Sequence, residues 1–290
     1  MMSIPLISGL SVLADRADAF ILDLWGVIHD GVEAYAGARD TLVALRAAGK
    51  QSLLLSNAPR RAEALVEQLA RMGIERALYD YVLSSGEAVH LELQARTDPF
   101  YAVLGRNLYH MGPERDANVF EGLDYVAVDL AHADFILNTG PWDVEETVED
   151  YVPAMKQALE RRLPMVCANP DLVVMRQGQP VVCAGALAER YAEMGGTVSM
   201  RGKPDPAIYA QALRVLGLPA ARVMAVGDAL HTDVRGANQA GLAGAVFVTQ
   251  GIHAKDLGIK PGDDPAQDRL DHFVAAHGDV PAAAIRTFIW

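Results

Sequence analysis

The chain has 290 residues, of which 51% are apolar and 21% charged, as expected for a folded protein of about two domains. Lysine and arginine number 25 against 37 aspartate and glutamate residues, which gives a formal net charge of −12. This balance opposes polyanions, so we expect neither nucleic acid nor an anionic membrane surface as a partner. A phosphorylated ligand would need a local positive field from a metal ion, a lysine or helix N-termini.

The cysteines and the apolar stretches point to a cytoplasmic protein. Cys167 and Cys183 have no C-x-x-C spacing, which predicts two buried thiols rather than a disulfide framework or a zinc site. The apolar residues 1–14 lack a basic region, so they do not resemble a signal peptide. The uncharged stretch 236–254 contains repeated glycine with Asn, Gln and His, which is not typical of a membrane span.

Short apolar runs alternate with segments of helical period, a pattern that predicts an α/β fold with a mostly parallel sheet. The first part predicts strands at 19–24 and 51–55, a helix at 37–48, and a further helix through Leu65, Leu69 and Met72. The middle predicts strands at 101–104, 125–128, 135–137, 165–168 and 172–175, with a helix on which Val148, Val152, Met155 and Leu159 form one stripe. The last part predicts helices at 185–194 and 205–216 and strands at 197–200 and 222–226. We infer a second α/β unit, residues 86–183, inserted into a core formed by residues 1–85 and 184–290.

Polar residues follow the first two predicted strands, where the carboxyl ends of a doubly wound sheet form the ligand crevice. Asp23 ends the first strand, and a carboxylate there can be a nucleophile or a metal ligand. The alternative is an aspartate that caps a turn. Ser56 and Asn57 end the second strand before a helical segment, where a hydroxyl and free amides make either an anion cradle or a plain helix cap.

Two later segments carry charges suited to phosphate and metal. Lys203 precedes a predicted helix, where an ammonium group neutralises phosphate oxygens; the alternative is a solvated loop lysine. Asp228 and Asp233 lie across a strand-to-helix turn. Two carboxylates at this spacing can converge on Mg²⁺, which takes oxygen ligands, although a helix cap with an acid in the first turn would give the same spacing.

The order of these residues resembles the haloacid dehalogenase (HAD) superfamily of aspartate-nucleophile phosphotransferases: Asp23, Ser56, Lys203, then Gly-Asp-x-x-x-Thr-Asp at 227–233. Asp-Leu-Trp-Gly-Val at 23–27, the long insertion and Asn-Pro-Asp at 169–171 are similar to class IIA, the branch of nitrophenyl-phosphatase-like, phosphoglycolate and pyridoxal phosphatases. The resemblance covers nearly the whole chain. It implies a doubly wound, Rossmann-like parallel-sheet core with an inserted α/β cap domain.

The resemblance also implies a role for each matching position. Asp23 would attack phosphorus and form an aspartyl-phosphate. Ser56 and the Asn57 amide would hold phosphoryl oxygens, and Lys203 would tie Asp23 to the phosphate. The implied cofactor is Mg²⁺, held by the Asp23 carboxylate, the Trp25 backbone carbonyl and Asp228, with Asp233 binding directly or through metal waters.

The implied cap would close over the crevice and select the leaving group of a small phosphorylated metabolite. Asn169 and Asp171 would face this substrate, or else form a proline-containing turn between two strands. The apolar cap strands and the terminal segment 288–290, Phe-Ile-Trp, fit an interface between identical subunits; the alternative is that the terminal segment packs on its own core.

Position 25 departs from the pattern of the superfamily's phosphatases. They place a second aspartate two residues after the nucleophile, as acid for the leaving oxygen and then base for water, and here that residue is Trp25. A positioned proton-transfer group contributes about 10²- to 10⁴-fold. One hypothesis is a slow phosphatase for good leaving groups, with water, His29, Asp30 or His231 in place of the acid. The others are a phospho-ligand binding protein with negligible turnover, and a dehalogenase, which the predicted metal ligands disfavour.

Overall fold

The computed structural model describes residues 3–176 and 179–290, which form two parallel sheets and a separate hairpin. The strands are β1 Leu6–Ile7, β2 Ala19–Leu22, β3 Gln51–Ser56, β4 Tyr81–Ser84, β5 Asn107–Met111, β6 Val126–Ala127, β7 Phe135–Asn138, β8 Met165–Cys167, β9 Val173–Arg176, β10 Gln179–Val182, β11 Val198–Met200, β12 Val223–Gly227, β13 Gly244–Val248 and β14 Ala283–Ile285. The helices are α1 Ala38–Ala47, α2 Ala62–Arg71, α3 Ser85–Ala95, α4 Pro99–Ala102, α5 Val148–Glu160, α6 Ala184–Glu193, α7 Pro206–Leu216, α8 Arg235–Gln239 and α9 Gln267–His277. No helix within these described ranges has the length and apolarity needed to cross a bilayer.

The first sheet has seven strands in the order β1-β14-β13-β12-β2-β3-β4, and all neighbouring pairs are parallel. Alternate residues of β2 enter two different cores, because successive side chains of a strand point to opposite faces. Phe20 and Leu22 pack with side chains of α1 and α2 on one face, whereas Ile21 packs with side chains of α7 on the other. Helices therefore cover both faces, which confirms the predicted doubly wound core.

The second sheet is formed by residues that lie between β4 and β12 in the chain. Its order is β11-β8-β7-β5-β6, and its neighbouring strands are also parallel. Side chains of α5 and α6 cover one face, and Val89 and Leu93 of α3 belong to the core on the other. The predicted fold class, an α/β core with an inserted α/β unit, is thus confirmed.

The strand pairing places the end of the insertion at residue 200, whereas the sequence predicts it at residue 183. Val198 of β11 pairs with Met165 of β8, so β11 is an edge of the second sheet. Leu187 and Tyr191 of α6 are buried in the core of the same sheet. Residues 184–200, which the sequence analysis placed in the core, therefore belong to the insertion, which we call the cap from here on.

The predicted strand at 101–104 is wrong. Residues Pro99–Ala102 form a short helix instead, because the Asp98 carboxylate accepts a hydrogen bond from the Phe100 N–H and Pro99 occupies the first turn. The strand of this region is β5, which the apolar pattern did not indicate.

The C-terminal residues pack on the core of the first sheet. Phe288 is buried there, Ile289 and Trp290 contact the same cluster, and the Leu10 N–H donates to the Ile289 carbonyl oxygen at 2.9 Å. Of the two interpretations of this segment, the structure places it against its own core.

Candidate active site

The predicted site residues emerge together because three strands end at one edge of the first sheet. Leu22 of β2 pairs with both Leu54 of β3 and Val226 of β12, so the residues that follow these strands are neighbours. The Asp23 N–H donates to the Val226 carbonyl oxygen at 2.9 Å and fixes this edge. A cavity of about 1140 Å³ opens here, and residues of both the core and the cap line it.

Three buried carboxylates converge at this edge. Asp23, Asp228 and Asp233 each present an oxygen, and these oxygens lie within 4.8 Å of one another. The Ile252 N–H donates to Asp228 Oδ2 at 2.7 Å and orients that carboxylate. Gly26 has φ of +81° and lets the loop after Asp23 lie against the Asp228 carboxylate, because a Cβ on this residue would lie 1.9 Å from Asp228 Oδ2.

Lys203 joins two of these carboxylates. Its Nζ donates to Asp23 Oδ1 at 2.6 Å and to Asp233 Oδ1 at 2.8 Å. The residue is only 3% exposed, which excludes the alternative of a solvated loop lysine. Burial alone would lower the pKa of Lys203, but Asp23 and Asp233 outweigh it and raise the pKa well above the usual value. The side chain is therefore a permanent cation in the site.

The electrostatics of the cluster favour a further cation. Burial raises the pKa of Asp23 well above its usual value, and Asp233 and Asp228 add to this effect while Lys203 opposes it. Burial, with the charge of Asp233, raises the pKa of Asp228 to about 7. Three carboxylates face one ammonium group, so the ionised cluster holds an uncompensated negative charge away from water. Carboxylate oxygens in this arrangement fit a hard divalent ion.

Asn57 fixes the backbone of Lys203 from the end of β3. Its side-chain Oδ1 accepts a hydrogen bond from the Lys203 N–H at 2.7 Å, and its Nδ2 donates to the Lys203 carbonyl oxygen at 3.2 Å. The same Nδ2 donates to Asp171 Oδ1 of the cap at 2.7 Å. One amide side chain thus connects the lysine loop, the end of a core strand and the cap, a role that the sequence analysis missed.

The structure places Ser56 and Asn57 in a different backbone setting from the helix N-terminus that the sequence predicts. The strand β3 ends at Ser56 but α2 begins only at Ala62, so Ser56 and Asn57 do not lie at a helix N-terminus. Ser56 is the last residue of β3 and Asn57 begins the loop that follows, where the Ser56 Oγ accepts a hydrogen bond from the Ala58 N–H at 3.2 Å. Both residues line the cavity next to Asp23 and Lys203.

Asn169 and Asp171 form the predicted turn and also lie at the cavity. The Asn169 Oδ1 accepts a hydrogen bond from the Asp171 N–H at 2.9 Å, as in a turn stabilised by an asparagine side chain. Both residues also line the cavity, and Asp171 bonds to Asn57 of the core. The turn therefore brings the cap to the site.

Trp25 turns toward the cap. Its Nε1–H donates to the Met175 carbonyl oxygen of β9 at 2.8 Å. The indole ring also packs on Gly31, which has φ of +91°, and a Cβ at that position would lie 2.2 Å from the ring atom Cη2. Position 25 thus lines the cavity with an aromatic surface instead of a carboxyl group.

The three side chains considered as substitutes for the acid differ in placement. His29 is buried, its Nδ1 accepts a hydrogen bond from the Gly31 N–H, and burial lowers its pKa to about 4, so the imidazole is neutral. The Asp30 carboxylate accepts hydrogen bonds from backbone N–H groups of residues 33 and 32, which lower its pKa and keep it ionised. Neither group is an effective acid at neutral pH. His231 lines the cavity.

An additional charged group lies farther along the cavity. Arg60 and Arg115 approach the buried Asp116 Oδ1 at 3.7 and 3.8 Å, respectively, and burial raises the pKa of Asp116 to about 6. Arg60 lies in the segment that follows Ser56, yet no motif gave it a role. Asp116 comes from the cap, and its contact with Arg60 depends on how the cap meets the core, which local sequence pattern does not report.

Comparison with known proteins identifies the group of proteins that share this architecture. A family model described as haloacid dehalogenase-like hydrolase matches residues 20–126, and a related HAD-hydrolase model matches residues 200–276. A crystal structure of a hydrolase of the haloacid dehalogenase-like family from Brucella suis is 32% identical, covers 98% of this chain and 100% of its own, and has a TM-score of 0.84.

Two curated proteins show similarity over most of the sequence. A 4-nitrophenylphosphatase from Schizosaccharomyces pombe is 24% identical over 87% of this chain and 89% of its own length. A D-glycerol 3-phosphate phosphatase from Mycobacterium tuberculosis is 27% identical over 82% of this chain, and the match spans 64% of that longer protein. These matches agree with the class IIA resemblance of the motifs.

The Asn57 contacts generate a test of stability. Asn57→Ala would leave the buried Lys203 N–H without its acceptor, so we expect the free energy of unfolding in urea to fall by about 1–3 kcal/mol. The exposed Asn238, which donates one hydrogen bond to the Val280 carbonyl oxygen, is the matched control, and Asn238→Ala should cost less than about 0.5 kcal/mol. Equal losses in the two variants would contradict the proposed importance of Asn57.

Proposed function

The chain belongs to the haloacid dehalogenase-like hydrolases, and we propose that it is a Mg²⁺-dependent phosphatase that transfers the phosphoryl group of a small phosphorylated metabolite to Asp23 and then to water. The observation that carries the proposal is the bridge from Lys203 Nζ to Asp23 and Asp233, with Asp228 beside them. This arrangement supplies a nucleophile, a fixed cation and a set of oxygen ligands at one point of the cavity. The phosphatases among its relatives support the same chemistry.

The residues around the carboxylate cluster suit a bound divalent ion. Asp23, Asp228 and the Trp25 backbone carbonyl would hold it, and Asp233 would bind it directly or through water. When bound, the ion offsets the negative charge on the phosphoryl oxygens and on the carboxylates. Without the ion, burial and the charge of Asp233 raise the pKa of Asp228 to about 7, as expected where negative charge exceeds positive charge.

The remaining groups orient the nucleophile and the phosphate. Lys203 holds Asp23 Oδ1 and places its positive charge beside the transferring group. The Ser56 hydroxyl and the Asn57 backbone amide would donate hydrogen bonds to phosphoryl oxygens. Asn57 serves twice, because its side chain also fixes the backbone of Lys203.

The reaction would proceed in two displacements. A carboxylate oxygen of Asp23 attacks phosphorus, the bond from phosphorus to the leaving oxygen breaks, and that oxygen departs with the bonding electron pair. Water then attacks the phosphorus of the aspartyl-phosphate, which releases inorganic phosphate, returns the Asp23 carboxylate and gives up a proton to solvent or to the phosphate. Trp25 neither protonates the leaving oxygen nor deprotonates the water, so both steps would be slow for alkyl esters.

The first test is hydrolysis of p-nitrophenyl phosphate, whose leaving group scarcely needs a proton. We expect activity that requires Mg²⁺, disappears with a chelator and is lost in Asp23→Asn, which keeps the shape of the side chain but is a poor nucleophile. Release of nitrophenolate measures the rate. Activity equal to that of Asp23→Asn would instead favour the alternative, a protein that binds phosphorylated ligands without turnover.

The second test concerns position 25. Trp25→Asp would restore a carboxyl group two residues after the nucleophile, and we expect turnover of an alkyl phosphate to rise by roughly 10- to 100-fold. Trp25→Phe is the control, because it also removes the hydrogen bond to Met175 but supplies no acid. The measurement compares the rate of phosphate release by the two variants, and circular dichroism checks that both are folded. A folded Trp25→Asp protein no faster than Trp25→Phe would contradict this account of the missing acid.

A further inference from the structure

The cavity beside the nucleophile has an apolar wall that belongs to no hydrophobic core of the described residues. The apolar residues that line it there come from the loop after Trp25, Val32 and Tyr35, and from the hairpin β9–β10 with the residue before it. On the hairpin, Leu172 and Val174 share one face with Val181, which pairs with Val174, whereas the side chain of Met175 points to the opposite face. The exposures of Val32, Tyr35 and Leu172 range from 40% to 46%. Large apolar side chains clustered in the open are typical of a binding surface.

The hairpin has no other structural partner for this apolar surface. The strands β9 and β10 pair only with each other among the described residues, with Val174 opposite Val181. The hydrogen bond from Trp25 Nε1 to the Met175 carbonyl oxygen holds the hairpin against the core loop that carries Asp23. The hairpin is therefore attached to Trp25, which follows the nucleophile by two residues in the chain.

Next to this wall, the site has Trp25 at the position of the group that would protonate a leaving oxygen. Trp25 occupies the sequence position at which the superfamily's phosphatases place an aspartate. Of the three candidate substitutes, His29 and Asp30 are not effective acids, and His231 lines the cavity. An unassisted leaving group must itself be a weak base, as a phenol oxygen is and an alkanol oxygen is not. An aromatic leaving group would also stack on the indole and be buried by the aliphatic side chains.

We propose that the apolar wall is the binding site for the leaving group, and that the substrate class is phosphate monoesters of bulky apolar phenols. The inference rests on the proposed function for the phosphate end of the substrate. The cavity is continuous from Asp23 and Lys203 to the hairpin, so a phosphate held at Asp23 directs the rest of its ester along the wall. Its volume of about 1140 Å³ leaves room for a bulky leaving group beside the phosphate.

The test compares phenyl phosphate with 4-butylphenyl phosphate, two esters of nearly equal leaving-group basicity. Binding is measured by calorimetry on the Asp23→Asn protein with Mg²⁺, so that no turnover is required. We expect the Kd to be at least about tenfold lower for the butyl compound, since each buried methylene is worth roughly fourfold. In the wild-type enzyme, KM should fall by a similar factor.

A variant pair locates the effect. Val174→Thr keeps the shape and the strand preference of the side chain but replaces a methyl group by a hydroxyl. We expect the ratio of the Kd for phenyl phosphate to the Kd for 4-butylphenyl phosphate to fall by about threefold. Val126→Thr, on an exposed strand of the cap outside the cavity, is the control and should leave the ratio unchanged.

The outcomes separate this inference from the proposed function. Equal Kd values for the two esters, no binding of either, or an equal effect of Val174→Thr and Val126→Thr would overturn the apolar site, even if p-nitrophenyl phosphate is hydrolysed. A clear preference for the butyl compound without any hydrolysis by the wild-type protein would support the apolar site and refute the phosphatase.

Discussion

The arrangement of the site depends on one buried ion pair network, in which Lys203 Nζ lies 2.6 Å from Asp23 Oδ1 and 2.8 Å from Asp233 Oδ1. A buried ammonium group is stable only where carboxylates and hydrogen bonds surround it. Asp23 directly follows β2, and Asp233 lies in the helical turn that follows β12. Asn57, which directly follows β3, holds the lysine backbone in place. Three strand ends therefore have to meet before any of these charges is compensated, and the remaining negative charge favours a divalent cation.

The cap contacts the site edge of the first sheet at two places, and it also contributes apolar residues to the cavity. Asp171 reaches the core through Asn57, and Met175 reaches it through the Trp25 indole. In the proposed reaction Trp25 leaves the leaving oxygen without the usual proton donor, and the same side chain holds the hairpin through its hydrogen bond to Met175. The chemistry and the proposed selectivity for apolar leaving groups thus have the same structural origin.

The doubly wound core and the convergence of Asp23 and Asp228 could be predicted from sequence, because both depend on local strand patterns and on the rule that parallel strands end at one edge. The end of the cap could not, since β11 pairs with β8 across the fold and its sequence resembles that of a core strand. The short helix at Pro99 was missed because a cap by Asp98 outweighed the apolar pattern. The contacts of Asn57 required the three-dimensional positions of distant residues.

The most direct test of the account is to trap the enzyme during turnover of phenyl phosphate labelled in its phosphoryl group, with Mg²⁺ and rapid acid quench. We predict that label accumulates on the protein, since hydrolysis of the aspartyl-phosphate lacks a base, and that Asp23→Asn abolishes it. Label that persists in Asp23→Asn would contradict Asp23 as the nucleophile, and steady release of labelled phosphate with no labelled protein would contradict the predicted slow hydrolysis of the aspartyl-phosphate.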